Sequence, residues 1–343
     1  MKIDLLNSAR PFYKANLHCH TTLSDGRKTP QQIKNLYTRM GYAIVAYTDH
    51  NILVPHDELT DEHFLALHGV ELDISEPDLD GVPYNRRKTC HICLIGLEPD
   101  NLVQPCWHRS AYIWGNALES KHLVQFDDRE PDFVRVYSGE GISRIMQTAR
   151  DKGFFVTYNH PTWSRETYAQ YMEYHGMHAM EIFNGGCQVE GHDDYNPRVY
   201  DDLLASGQRI YGIGTDDNHN AWEEGSRRFD SGVAYTMINA SDLRYRTVTK
   251  ALEEGRFYAS EGPEIHALWV EDGRVHLRCS AADRVCCTYG YRRGSVVYGQ
   301  NGVPVTAADF DIGEVGDYFR ITVTDFAGKH ACTNAYFPDE LGI

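Results

Sequence analysis

A chain of 343 residues, 42% hydrophobic and 24% charged, has enough apolar residues to bury one large core and a smaller appendage. Its formal charge of −16 excludes a surface built to track the backbone of long nucleic acids, though small anions stay within reach of local positive charge. No apolar run approaches the roughly eighteen residues of a membrane span, and the first residues lack a cleavable leader pattern. An odd count of nine cysteines without a disulfide-like framework fits a reducing compartment, so a cytoplasmic location without membrane association is expected.

In chain order, Thr29-Pro30 opens a helix that carries Ile33, Leu36, Tyr37 and Met40 on one face and stops at Gly41. Short apolar, β-branched or aromatic runs at 43–47, 67–70, 91–96, 154–158, 180–183 and 210–214 predict buried strands. Two further helices are predicted, one from about 140 to 152 and one from Ser241, read as its N-cap, to Gly255. This alternation implies a parallel α/β sheet, and polar residues at the strand ends imply a barrel with its site on the C-terminal rim. Residues from about 99 to 137 are rich in Trp, His and Asp without periodicity and read as an insertion over the barrel mouth. After Pro263 the pattern changes to closely spaced strands at 264–270, 275–279, 286–291, 319–324 and 333–337. The expected organisation is a barrel over 1–262 and a small all-β, sandwich-like domain over 263–343.

The chemistry concentrates at the strand ends. In Asn16-Leu17-His18-Cys19-His20, the two histidines share one face of an extended strand and can converge on one divalent ion. Asp25 follows beside Gly26, where the chain can turn its carboxylate back. Alone, this pattern is better explained by two unrelated histidines on a half-buried strand. But Thr48-Asp49-His50, Gly69-Val70-Glu71, His91, Asn159-His160-Pro161 and Asp217-Asn218-His219 all place ionisable groups at the edges of apolar runs. Unpaired buried ionisable groups are costly, whereas shared cations neutralise carboxylates and use imidazole lone pairs.

The order HxH–SDG–TDHN–GxE–HxxxxG–HP–DxH, from about residue 13 to about 225, resembles the polymerase and histidinol phosphatase (PHP) family. That resemblance implies a distorted seven-stranded (β/α) TIM-like barrel binding two or three divalent ions. It assigns His18, His20, Glu71 and Asp217 to a first metal. Glu71 would bridge to a second metal completed by His91 and His160, while Asp25, His50 and His219 would hold a third. Asp217 is preferred to Asp216 because it stands two before His219. Asp49 is expected to orient ligands, and Glu181 to be structural or supporting. Such ligands suit Mn, Fe and Zn alike.

The implied activity is a metal-dependent phosphoesterase, a phosphoric ester hydrolase. Metal-bound hydroxide would attack phosphorus in a small metabolite such as a nucleotide, bisphosphate, cyclic phosphate or sugar phosphate. Glu71, Asp217, His219 and Asp49 are the expected catalytic group. Arg165 and Arg27 are expected to bind phosphate, and Trp163, with Trp107 or Trp114 of the insertion, to stack on a base or pack the insertion. Amidohydrolase-like cleavage of C–N or C–O bonds and a nuclease or proofreading module are the alternatives. Oligomeric state is unmarked in the sequence.

Overall fold

The computed structural model describes residues 2–77, 82–313 and 315–342. Its strands are β1 (Ile3–Leu6), β2 (Phe12–Asn16), β3 (Ile44–Tyr47), β4 (Leu65–Ser75), β5 (Thr89–Gly96), β6 (Phe154–Tyr158), β7 (Ala179–Asn184), β8 (Tyr211–Thr215) and β9 (Tyr235–Asn239). There follow β10 (Phe257–Ser260), β11 (Ile265–Glu271), β12 (Arg274–Ala282), β13 (Arg284–Tyr289), β14 (Gly294–Tyr298), β15 (Val305–Asp311), β16 (Phe319–Thr324) and β17 (His330–Thr333). Thirteen of them form one mixed sheet in the order β14-β13-β16-β17-β10-β9-β2-β3-β4-β5-β6-β7-β8. A second sheet has the order β1-β11-β12-β15.

The sheet is not wholly parallel. β2, β3 and β4 pair in parallel, as do β6, β7 and β8, but β5 runs antiparallel to both β4 and β6. Among the described residues only the single 3-10 turn Tyr84–Arg86 is assigned between β4 and β5, and the antiparallel pairing makes this connection a return rather than a crossover. Reversal places the start of β5, where His91 stands, at the same end as the C-terminal ends of its neighbours. The helices Pro30–Arg39, Gly139–Asp151, Pro197–Ala205 and Tyr245–Glu253 bury their apolar stripes outside the sheet. Thr29 starts the first with a capping box completed by Gln32. Arg244, not Ser241, occupies the N-cap of the last, because Ser241 turns instead to Asp242.

The expected distorted barrel is not closed by backbone pairing among the described residues. Backbone pairing leaves β8 at the sheet edge, and the sheet is an open curl. At its seam the Thr236 hydroxyl accepts from Gly214 N (3.1 Å) and donates to Gly214 O (2.9 Å), doing for one residue what a strand ladder would do. A side chain at Gly214 would come within 2.6 Å of Tyr235 O, so glycine permits this approach.

The 262/263 boundary falls between β10 and β11, and two pairings cross it: β1 with β11, and β10 with β17. The late strands are therefore two facing layers around Leu6, Leu277, Val285, Phe319 and Val323, and one layer continues the large sheet. The last predicted strand lies earlier than expected, at β17, with Tyr336 making a separate bridge to Phe319. No helix among the described residues is long and apolar enough to cross a membrane.

Thr236→Val keeps the shape of this side chain but leaves the buried N–H and C=O of Gly214 unsatisfied. A loss of about 2 kcal/mol or more is expected, measured as a lowered denaturation midpoint at fixed metal content. A shift below about 0.5 kcal/mol would show that the seam draws on other partners.

Candidate metal centre

Glu71 occupies the middle of β4 and is 1% exposed. Five imidazoles surround its carboxylate: His18 (3.1 Å), His20 (3.3 Å), His50 (3.1 Å), His91 (3.3 Å) and His160 (3.2 Å). Asn159 Nδ2 adds a hydrogen bond of 2.9 Å. Asp217 lies on the far side of His18 and His20, at 3.2 and 3.1 Å. His219 meets Asp25 at 3.3 Å, and the His20 ring packs against those of both His50 and His219. The nine residues expected to bind metal are thus brought together at one end of the curled sheet.

Local backbone geometry delivers these groups. Beyond β2 the chain stays extended, and Cys19 bridges in parallel to Asn218, so His18 and His20 face the same side. Asp25 returns through a tight turn in which Gly26 N donates to Thr21 O, and a side chain at Gly26 would strike His20 O at 2.6 Å. His160 and Asp217 both have left-handed backbones, with φ of 28° and 49°. Strain of this kind at non-glycine residues is maintained only where surrounding contacts over-determine it. The His160 N–H is held by Glu181 Oε2 (2.8 Å) and the Asp217 N–H by His18 O (3.1 Å).

The same left-handed step separates the adjacent aspartates. Asp216 turns away and accepts from the Gly232, Val233 and Ala234 N–H groups and the Tyr37 hydroxyl. Asp49 accepts from Thr21 N, Thr21 Oγ1 and Ser24 Oγ. It shapes the turn that carries Asp25 and does not line the cavity above the cluster. Glu181 also accepts from His18 Nδ1 (2.7 Å) and Thr215 Oγ1 (2.7 Å), so it fixes both His18 and the His160 turn.

Asp73 is a participant that the sequence reading missed. It stands 2.8 Å from His50 Nδ1, accepts from Asn51 Nδ2 (2.9 Å) and Trp114 Nε1 (2.7 Å), and groups with His50, Glu71 and His91 in a potential cation site. Glu71-x-Asp73 has the same period-two signature on a strand as His18-x-His20, and that signal was present in the sequence. Cys90 and Cys93, three apart on β5, face opposite sides. Burial pushes the Cys93 thiol up to about 11, and it receives a hydrogen bond from Asn159.

Charge balance shows what the cluster requires. Burial lowers the imidazoles of His20, His50 and His219, but the adjoining carboxylates outweigh it and bring each to about 9. Burial pushes the carboxyls of Asp25, Glu71 and Asp73 up, and the histidines more than reverse this and hold them below the usual range.

The donor set fits divalent ions. His18 Nδ1 donates to Glu181, so the neutral ring presents a lone pair at Nε2. That lone pair faces His20 Nε2, Glu71 Oε1 and Asp217 Oδ1 at 3.1 to 3.2 Å. Acceptors so arranged need a positive charge between them. Two ligands about 2.1 Å from one ion and roughly 100° apart stand about 3.2 Å from each other. His20 Nδ1, Glu71 Oε2 and His91 Nε2 are buried without hydrogen-bond partners, although carboxylate or imidazole atoms stand close by.

A cavity of about 330 Å³ opens over the cluster and reaches Trp114, Trp163, Trp222 and Arg228. The structure does not bring Arg27 or Arg165 to it. Arg27 is exposed and reaches His219 only through its backbone N–H, and Arg165, left-handed at the end of the Pro161–Ser164 turn, lines a separate cavity with Thr162 and Glu166. Trp107 is buried against Phe126, packing the insertion. Arg228 and Trp222 lie in a stretch without periodicity, where no pattern marks them beforehand.

No family model and no curated protein matches the chain. Among solved structures it is similar to a two-domain protein from Bacteroides vulgatus containing a predicted PHP-like metal-dependent phosphoesterase. That likeness has 16% identity and a TM-score of 0.44, covering 94% of this chain and 92% of the other. A candidate metal-dependent phosphoesterase from Bifidobacterium adolescentis is similar at 15% identity and a TM-score of 0.37, over 64% and 91%. An amidohydrolase from Chromobacterium violaceum, with bound sulfate and no metal, is similar at 15% and 0.35, over 60% and 87%.

In the metal-free protein, imidazoles at about 9 carry protons below that pH and must release them to coordinate. Adding Mn²⁺ or Zn²⁺ near neutral pH should therefore release protons, and affinity should weaken as pH falls. Titration calorimetry in buffers of different ionisation heat measures the release. A heat independent of buffer would contradict it.

Proposed function

We propose that the chain is a metal-dependent hydrolase acting on a small phosphorylated molecule. The observation that carries this reading is the convergence of five imidazoles on Glu71, with lone pairs and carboxylate oxygens facing one another at ligand-to-ligand spacing. His18, His20, Glu71 and Asp217 would hold one ion, and Glu71 would be shared with His91 and His160. Asp25, His50 and His219 would hold a third, with Asp73 beside His50. Bound Mn, Fe or Zn ions would supply Lewis acidity and an activated water near neutral pH.

The chain's own residues support the remaining tasks. Asp25 and His219 are about one-third exposed by side chain and face the cavity, so they are the members of the cluster that a substrate meets first. The Glu181 carboxylate and the Asp73 carboxylate hold the second nitrogens of His18 and His50, fixing which nitrogen each ring presents. The cavity suits a small substrate rather than a polymer, and the guanidinium of Arg228 at its edge suits an anion.

The test is metal analysis of protein reconstituted with Mn²⁺, Fe²⁺ or Zn²⁺, with assays against phosphate esters, amides, lactones and single-stranded DNA. At least one ion per chain and fastest turnover of a small phosphate ester are expected. His20→Ala should lose about 100-fold or more in turnover while its circular dichroism is retained. Less than one ion per chain under every condition, or faster turnover of amides, would overturn the proposal.

A further inference from the structure

The wall of the cavity is more specific than its floor. Three indoles line it: Trp114 from the insertion, Trp163 after the His160-Pro161 turn, and Trp222 after His219. Two are locked in orientation by their N–H groups, Trp114 to Asp73 Oδ2 and Trp163 to Glu190 Oε2, each at 2.7 Å. Trp114 stands 4.9 Å from the His50 ring, and Trp163 stands 5.0 to 5.1 Å from His160 and His91, so their planes border the candidate metal ligands directly. Trp114 and Trp222 nevertheless remain 38% and 43% exposed. Large aromatic surface held rigid and left open at a cavity mouth is the signature of a binding wall rather than of a core.

Arg228 completes the wall. Its guanidinium lies 4.3 Å over the Trp222 ring, and its Nε donates to Val189 O at 3.3 Å. Among the described residues it is the one lysine or arginine that lines this cavity. The other charges at the rim are the carboxylates of Asp25, Glu190 and Asp230, so the cavity pairs stacking faces with a single fixed positive charge.

We infer that the substrate carries a planar aromatic group next to its phosphate, with Trp222 and Trp163 receiving the ring and Arg228 the anionic oxygens. This deepens the phosphoesterase reading and rests on it for the reaction, but the recognition itself is measurable without turnover. Stacking on one indole accounts for roughly 1–3 kcal/mol, which is about fivefold to 150-fold in affinity.

The experiment is equilibrium binding of phenylphosphonate and methylphosphonate, which are not hydrolysed, to the metal-reconstituted protein, followed by indole fluorescence and calorimetry. Phenylphosphonate should bind about fivefold or more tightly than methylphosphonate. Trp222→Ala should collapse that ratio towards one, and Arg228→Ala should weaken both ligands while preserving the ratio. Equal affinity of the two in the wild type, or an unchanged ratio in both Trp222→Ala and Trp163→Ala, overturns the inference. An aromatic preference lost in Trp222→Ala, without hydrolysis of any phosphate ester, would uphold the recognition and sink the phosphoesterase reading instead.

Discussion

A carboxylate surrounded by five imidazoles in a dry interior is the constraint on which the rest of the site depends. Transferring one ionised carboxylate from water to such a place costs several kcal/mol, and Glu71 is among the most buried residues of the chain. Neutral imidazoles alone do not recover that cost, because a ring whose one N–H points elsewhere offers the carboxylate only a lone pair. A neutral His18 whose Nδ1 donates to Glu181 would be in that position, and the surrounding carboxylates outweigh burial and push its imidazole well above the usual range. Positive charge has to reside among these groups, as protons or as metal ions. Fully protonated rings would need hydrogen-bond acceptors that His20 Nδ1 and His91 Nε2 lack, their nearest carboxylate oxygens standing at 3.7 Å.

From this requirement the unusual local geometry follows. β4 is eleven residues long, so it carries Glu71 and Asp73 on one face, and β5 reverses to bring His91 opposite Asp73. His160 and Asp217 accept left-handed backbones because an ordinary turn would aim them elsewhere. Each strained residue has its N–H tied down, one by Glu181 and one by His18, which is itself a ligand candidate. Strain, orientation and charge compensation therefore depend on one another. Such coupling would make the binding of ions part of the folding free energy of this end of the sheet.

The ligand candidates were legible in the sequence because each sits at the edge of an apolar run, and period two placed His18 and His20 together. The strand at 154–158 was legible to the residue for the same reason. What was not legible depended on contacts between distant segments. Nothing in the run at 91–96 states that β5 is antiparallel, because both faces are buried and a run apolar on both faces has no direction. Nor could the local pattern show that the curl stays open, since that depends on Thr236 meeting Gly214. Ser241 resembles an N-cap but lies three residues before the actual one, because Arg244 has the extended backbone that starts the helix. Arg165 was close to His160 in sequence, yet one left-handed residue directs it into another cavity. Arg228 and Trp222 belong to an exposed loop, where position is decided by tertiary contact and leaves no periodic trace.

The electrostatics also impose an order of events. A chain of formal charge −16, with Asp25, Glu190 and Asp230 at the cavity edge, repels an approaching phosphate at distances within a Debye length. Arg228 alone reverses that field only at its own position. Divalent ions among Glu71, Asp73, Asp217 and Asp25 would change the sign at the cavity floor, since bound cations are the largest local charges a site can hold. On the proposed reading, metal loading would therefore precede anion binding for electrostatic reasons, before any chemistry is considered. The proposed aromatic wall would add attraction that charge does not cancel: stacking on Trp163 and Trp222 is indifferent to the net charge of the protein, and it would retain an aromatic phosphate that the acidic surface otherwise turns away.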